Sequence, residues 1–105
     1  MKPYYKIQFS HQGTDYAALV KHTGFAFEGN ASNGMLVSGA FDPKGAKAPG
    51  YIELISLDTN GEILSRLHFE ITQMEAPGAG GALLMNCIST GDEAIAGKIS
   101  YVSSQ

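Results

Sequence analysis

Charge is scarce in this chain and arginine scarcer still: Asp, Glu, Lys and Arg together make 16% of 105 residues, and Arg66 is the single arginine. Nucleic-acid surfaces gather Arg and Lys in clusters with interleaved aromatics. Seven basic residues spread along a chain of net charge −3 do not, so nucleic acid is not an expected partner. Cysteine is nearly absent too. Cys87 alone excludes an intrachain disulfide and the paired spacing of a zinc ribbon. No apolar run approaches the roughly 18 residues of a transmembrane helix, and the opening MKPYYKIQFS holds no apolar core of signal length. A cytoplasmic protein with no membrane partner is the expectation.

Catalytic frames are missing as well. No serine sits in a GxSxG elbow, and no GxxxxGK[ST] phosphate loop is present. Gly78-Ala79-Gly80-Gly81 is rich in glycine, but it leads into an apolar run that reads as a strand, so it is taken as a flexible connection. Cys87 alternates with Leu83 and Met85 and reads as a small core hydrophobe. No enzyme activity and no cofactor are expected from these positions.

What the chain does have is 13 glycines and a succession of short alternating runs between turn signals. The clearest is 51–73, YIELISLDTNGEILSRLHFEITQ, where two runs flank Asn60-Gly61. Asn-Gly is the preferred pair of a two-residue type I′ turn. That turn predicts a hairpin with Leu54 opposite Leu67, Ile52 opposite Phe69 and Ser56 opposite Ser65 on one mostly apolar face. The other face then pairs Leu57 with Leu64, Ile55 with Arg66, Glu53 with His68 and Tyr51 with Glu70. A three-residue loop with a glycine bulge is the alternative, and it would turn Glu53 toward Leu67 and Phe69. The first register avoids that buried carboxylate and a clash of Asp58 with Glu62.

Residues 4–12 alternate in the manner of a half-buried strand, and 16–22 would pair back on them. Residues 25–28 are expected to continue that second strand past a bulge at Gly24. A turn at 29–34 and a strand at 35–41 follow. Two long loops, 42–50 and 75–82, are expected to be mobile. Two last strands, within 82–90 and 94–104, form a further hairpin. About seven or eight antiparallel strands and no convincing amphipathic helix make residues 1–105 a single all-β domain, a β-sandwich or a small β-barrel. The expected core is Ile7, Phe9, Met35, Val37, Ile52, Leu54, Leu67, Phe69, Ile71, Met85, Cys87, Ile99 and Tyr101.

The stretch Asn30-Ala31-Ser32-Asn33-Gly34 resembles the D/N-x-S-x-x-G motif of PilZ domains, small barrels that bind cyclic di-GMP. It is one residue short before the glycine, and no arginine precedes Arg66 to supply the RxxxR those domains use. The chain is not assigned to that family.

Two polar groupings remain. His68, Glu53, Glu70, Arg66 and Tyr51 share the outer hairpin face, where a carboxylate beside an imidazole can orient it as a base or a metal ligand. His11, Asp15 and His22 could meet across the first hairpin as metal ligands. Ile55, Leu57 and Leu64 make that same outer face apolar enough to need a cover. The expected function is a non-enzymatic binding or assembly module that acts through a protein partner or self-association. The alternative is a small-ligand barrel or metal-assisted enzyme using Glu53, His68 and Glu70.

Overall fold

The computed structural model describes residues 3–31, 34–42, 50–76, 78, 80–88 and 93–104. Eight strands follow one another: β1 (Pro3–His11), β2 (Thr14–Thr23), β3 (Ala26–Ala31), β4 (Leu36–Ala40), β5 (Gly50–Leu57), β6 (Ile63–Met74), β7 (Gly81–Cys87) and β8 (Glu93–Ser104). Each is antiparallel to the next, and β8 returns to β1, with Ile7 opposite Ile99. The result is a closed meander barrel and not a sandwich.

Alternation dictates which side chains enter it, because successive residues of a strand point to opposite faces. Tyr5, Ile7 and Phe9 of β1, Ala18 and Val20 of β2, Ile52 and Leu54 of β5, and Leu83, Met85 and Cys87 of β7 all turn inward and are buried. An eight-stranded barrel is just wide enough for side chains to fill. Burying a residue such as Phe69 or Ile52 contributes about 1.5–3 kcal/mol. Of the expected core, Met35 and Leu67 are half-buried at its margin, and Tyr101 is exposed on one side. Glycine lets the wall bend where strands crowd. A Cβ at Gly39 would stand 2.0 Å from the Tyr51 carbonyl and 2.7 Å from the Phe27 ring, and one at Gly97 would stand 2.9 Å from the Phe9 Cβ.

Three local expectations are corrected, the first being the turn at 29–34, since Gly29, Asn30 and Ala31 belong to β3 and not to a turn. Gly24 does not bulge a long strand but ends it: Thr23 pairs with Ala26, so Gly24-Phe25 is a two-residue turn whose first residue has φ +64. That positive φ is what a type II′ turn demands there, and glycine meets it without strain. The type I′ geometry lies at Gln12-Gly13, with φ of 50 and 78 and His11 opposite Thr14. At the central hairpin, only Gly61 has positive φ.

The Asp58 amide donates to the Glu62 carbonyl at 2.9 Å and the Gly61 amide to the Asp58 carbonyl at 3.1 Å, a three-residue loop. Asp58 decides it. Its Oδ1 accepts from the amides of Asn60 at 2.8 Å and Glu62 at 2.9 Å, so the expected clash with Glu62 becomes a side chain bound to backbone. The one-residue slip this loop introduces is absorbed at once. Ser56 pairs with Ser65 but Leu57 with Ile63, leaving Leu64 as the extra residue of a bulge. Below the bulge the expected register holds, with Leu54 opposite Leu67 and Glu53 opposite His68.

Most of the 42–50 loop lies outside the described residues. In the second loop, the Glu75 amide bonds the Ala82 carbonyl at 2.9 Å and the Gly78 carbonyl accepts from Tyr101 at 3.2 Å. Its described part is therefore tied to β8.

Candidate functional site on the central hairpin

The outer face of β5 and β6 collects the polar groups the sequence points to. Glu53 and His68 are cross-strand partners, and the His68 Nδ1 lies 2.9 Å from Glu53 Oε2. A carboxylate only accepts, so Nδ1 carries the hydrogen. Tyr51 stacks on the imidazole, with ring centroids 5.4 Å apart and planes 16° from parallel. Arg66 approaches the other oxygen of Glu53 through Nε at 4.0 Å. Glu70, opposite Tyr51, is exposed and makes no ion pair among the described residues. Strand geometry explains the grouping: positions 66, 68 and 70 share a face, as do 51 and 53.

Chemically this is an oriented imidazole on the outside of a barrel. Among the described residues no group of three His, Cys, Asp or Glu side chains could hold a metal. One surface groove runs over Gly97 beside Ser10 and Asp15, and another, beside Gly29 and Leu36, reaches Ile55 of β5.

Beyond the polar group the same hairpin ends in apolar residues that face water. Leu57, Ile63 and Leu64 are 40%, 53% and 67% exposed, and Ile55 and Leu36 continue the apolar row along the wall. The expected Leu57 to Leu64 pairing is replaced by Leu57 with Ile63, and the bulge lifts Leu64 out of the ladder. Ile63 is a member that sequence reasoning missed, because the assumed two-residue turn left it on the opposite face.

The trio of His11, Asp15 and His22 does not meet. Asp15 lies on the outer wall and accepts a hydrogen bond from the Ser10 hydroxyl. Both histidines point inward at opposite ends of the barrel and are almost fully buried. His22 donates from Nε2 to the Phe41 carbonyl at 3.0 Å and stacks on the Phe41 ring at 4.5 Å. His11 sets its edge on Phe69, and its Nε2 stands 3.0 Å from Glu93 Oε2. That contact has the distance of an ion pair, but its angle falls outside hydrogen-bond alignment. The alternation of Tyr5, Ile7, Phe9 and His11 carried this signal. Cys87 is fully buried, as its apolar neighbours suggest.

Around the His22 end, Tyr5 meets Phe41 at 5.3 Å and Tyr101 at 5.7 Å, edge to face. Burial, and secondarily the neighbouring Tyr101, push the Tyr5 hydroxyl above the usual tyrosine range. Comparison with family models, curated proteins and solved structures finds no match to this chain.

Proposed function

We propose that the protein is a non-enzymatic binding or assembly module that works through protein contacts made by the tip and outer face of the β5–β6 hairpin. The observation that carries this reading is the joint exposure of Leu57, Ile63 and Leu64 on a barrel whose interior is otherwise well filled. Exposed apolar clusters of this kind mark contact surfaces. Closure removes free strand edges, so side chains on the wall and not backbone ladders must make the contact. Outward charges at Lys6, Lys21, Glu28, Glu70 and Lys98 reverse the pattern of a lipid-facing barrel and support an aqueous, cytoplasmic setting.

The second reading, a ligand or metal-assisted site on Glu53, His68 and Glu70, is favoured by the oriented imidazole alone. Among the described residues a single carboxylate holds that imidazole, and a reaction there would need water to be excluded from it.

Leu64→Glu tests the first reading. The expected outcome is a lower mass by light scattering with an unchanged β spectrum by circular dichroism. An unchanged mass in a folded variant would remove the main support for the contact surface. Unfolding would mean that Leu64 belongs to the core, at odds with its exposure, because an unpaired buried charge costs several kcal/mol.

A further inference from the structure

The charges beside the apolar tip say what kind of partner fits. Along the outer face of β6, Arg66, His68 and Glu70 stand in a row, the cation two residues before the imidazole and the anion two residues after it. At the rise of a β-strand, each charge lies about 7 Å from His68. Among the described residues neither charge has a close partner. Arg66 reaches Glu53 only through Nε at 4.0 Å, so its terminal nitrogens are unpaired among the described residues, and Glu53 is already engaged by His68. Glu70 has no cation among the described residues. A row that reads plus, centre, minus is complementary to itself when reversed, which is the requirement of an interface between identical patches.

We infer that this face takes a second copy of the chain, related by a two-fold axis that crosses β6 at His68, so that Arg66 of each copy meets Glu70 of the other. This rests on the contact surface proposed above and gives it an occupant and a register. The apolar residues follow the same symmetry. Leu64 lies four residues before His68, and the axis carries it to the neighbourhood of Thr72 of the second copy, four residues after. There Leu84, 41% exposed on β7 and paired with Gln73, offers an apolar surface. The tip of each hairpin thus finds an apolar counterpart that it lacks in its own barrel.

Charge reversal and its rescue test the register. Arg66→Glu and Glu70→Arg are each made alone and then combined, and all are sized by sedimentation velocity over a hundredfold concentration range beside the wild type. Circular dichroism checks the fold, which exposed outer-face changes leave intact. The expected result is a wild-type dimer, singles that fall to half the mass because like charges now face each other, and a combined variant that returns to the dimer. Singles that stay dimeric, or a combined variant that stays monomeric, would overturn the two-fold register. If Leu64→Glu dissociates the wild-type assembly while charge rescue fails, the contact surface stands and only this register falls. A wild type that is monomeric throughout overturns the second copy as occupant and leaves the contact surface to a different protein.

Discussion

The two ends of the barrel are closed by the same residue type in different ways. At one end His22 is locked among rings, bonded to the Phe41 carbonyl and stacked on the Phe41 side chain, with Tyr5 edge-on to both. At the other end His11 faces the carboxylate of Glu93, whose side chain is 39% exposed, and the nearby inward positions include the serine pair Ser56 and Ser65. The first end is an aromatic plug, and the second is a more polar mouth bordered by the partly exposed Glu93 carboxylate. The apolar hairpin tip projects from the polar end. Rings meet at both ends, but at the second the Phe9, Tyr16 and Phe69 cluster lies beside a partly exposed carboxylate, and the apolar surface available for contact is on that side.

The sharpest way to break that contrast is to truncate one ring at each end. Phe41→Ala removes a side chain that is 1% exposed and in contact with Tyr5, His22 and Phe27. It is expected to cost about 3–5 kcal/mol in urea unfolding, the range for large-to-small changes in a core. Tyr16→Ala, at the half-buried ring stacked on Phe9 near the polar mouth, is expected to cost clearly less. Equal losses would show that the two ends are packed alike.

Alkali acts on the aromatic end through Tyr5. Its hydroxyl is raised above the ordinary tyrosine value of 10.0. The folded state thus holds its proton more tightly than the unfolded chain, so this contribution is complete below about pH 10 and is lost as pH rises through the folded-state value. Unfolding followed against pH should show stability falling in that alkaline range, with Tyr5→Phe flattening the fall. A slope that Tyr5→Phe leaves unchanged would assign the effect to other groups.

The smallest change is expected at the polar mouth. Glu93→Gln keeps the side-chain shape and removes the charge facing His11. Because solvent screens that carboxylate, thermal or urea unfolding should register no more than about 1 kcal/mol. A loss of several kcal/mol would mean that the mouth is as tightly built as the plug.

The central hairpin shows how far local sequence carries a fold. Its body was legible because Ile52, Leu54, Leu67 and Phe69 can share a buried face in one register only, and a slip would bury Glu53. Its loop was not, because the choice between two and three residues turned on the Asp58 carboxylate binding the Asn60 and Glu62 amides. The bulge at Leu64 then reconciled a loop and a register that seemed to exclude each other. Glu53 beside His68 was legible as a cross-strand pair. The inward turn of His11 and His22 was signalled by alternation but opposed by their polarity, and their partners, Glu93 and the Phe41 carbonyl, are distant in sequence. Barrel closure was out of reach for the same reason. Nothing local in Ile7 or Ile99 announces that they meet.

That meeting has a consequence for how the chain acquires its shape. Seven of the eight strand pairings join neighbours along the sequence, while β1 and β8 unite opposite ends of the chain. The short hairpins close at little entropic cost, whereas the seam between β1 and β8 gathers a long stretch of polypeptide before it returns any contact. During synthesis β1 emerges before the other seven strands of the barrel and waits for β8. Until then the growing sheet carries two bare edges and an uncovered apolar inner face, the state most open to mispairing with other nascent chains. Changes at Tyr5, Ile7 or Ile99, on that seam, should therefore be felt in the yield of folded protein as well as in its final stability.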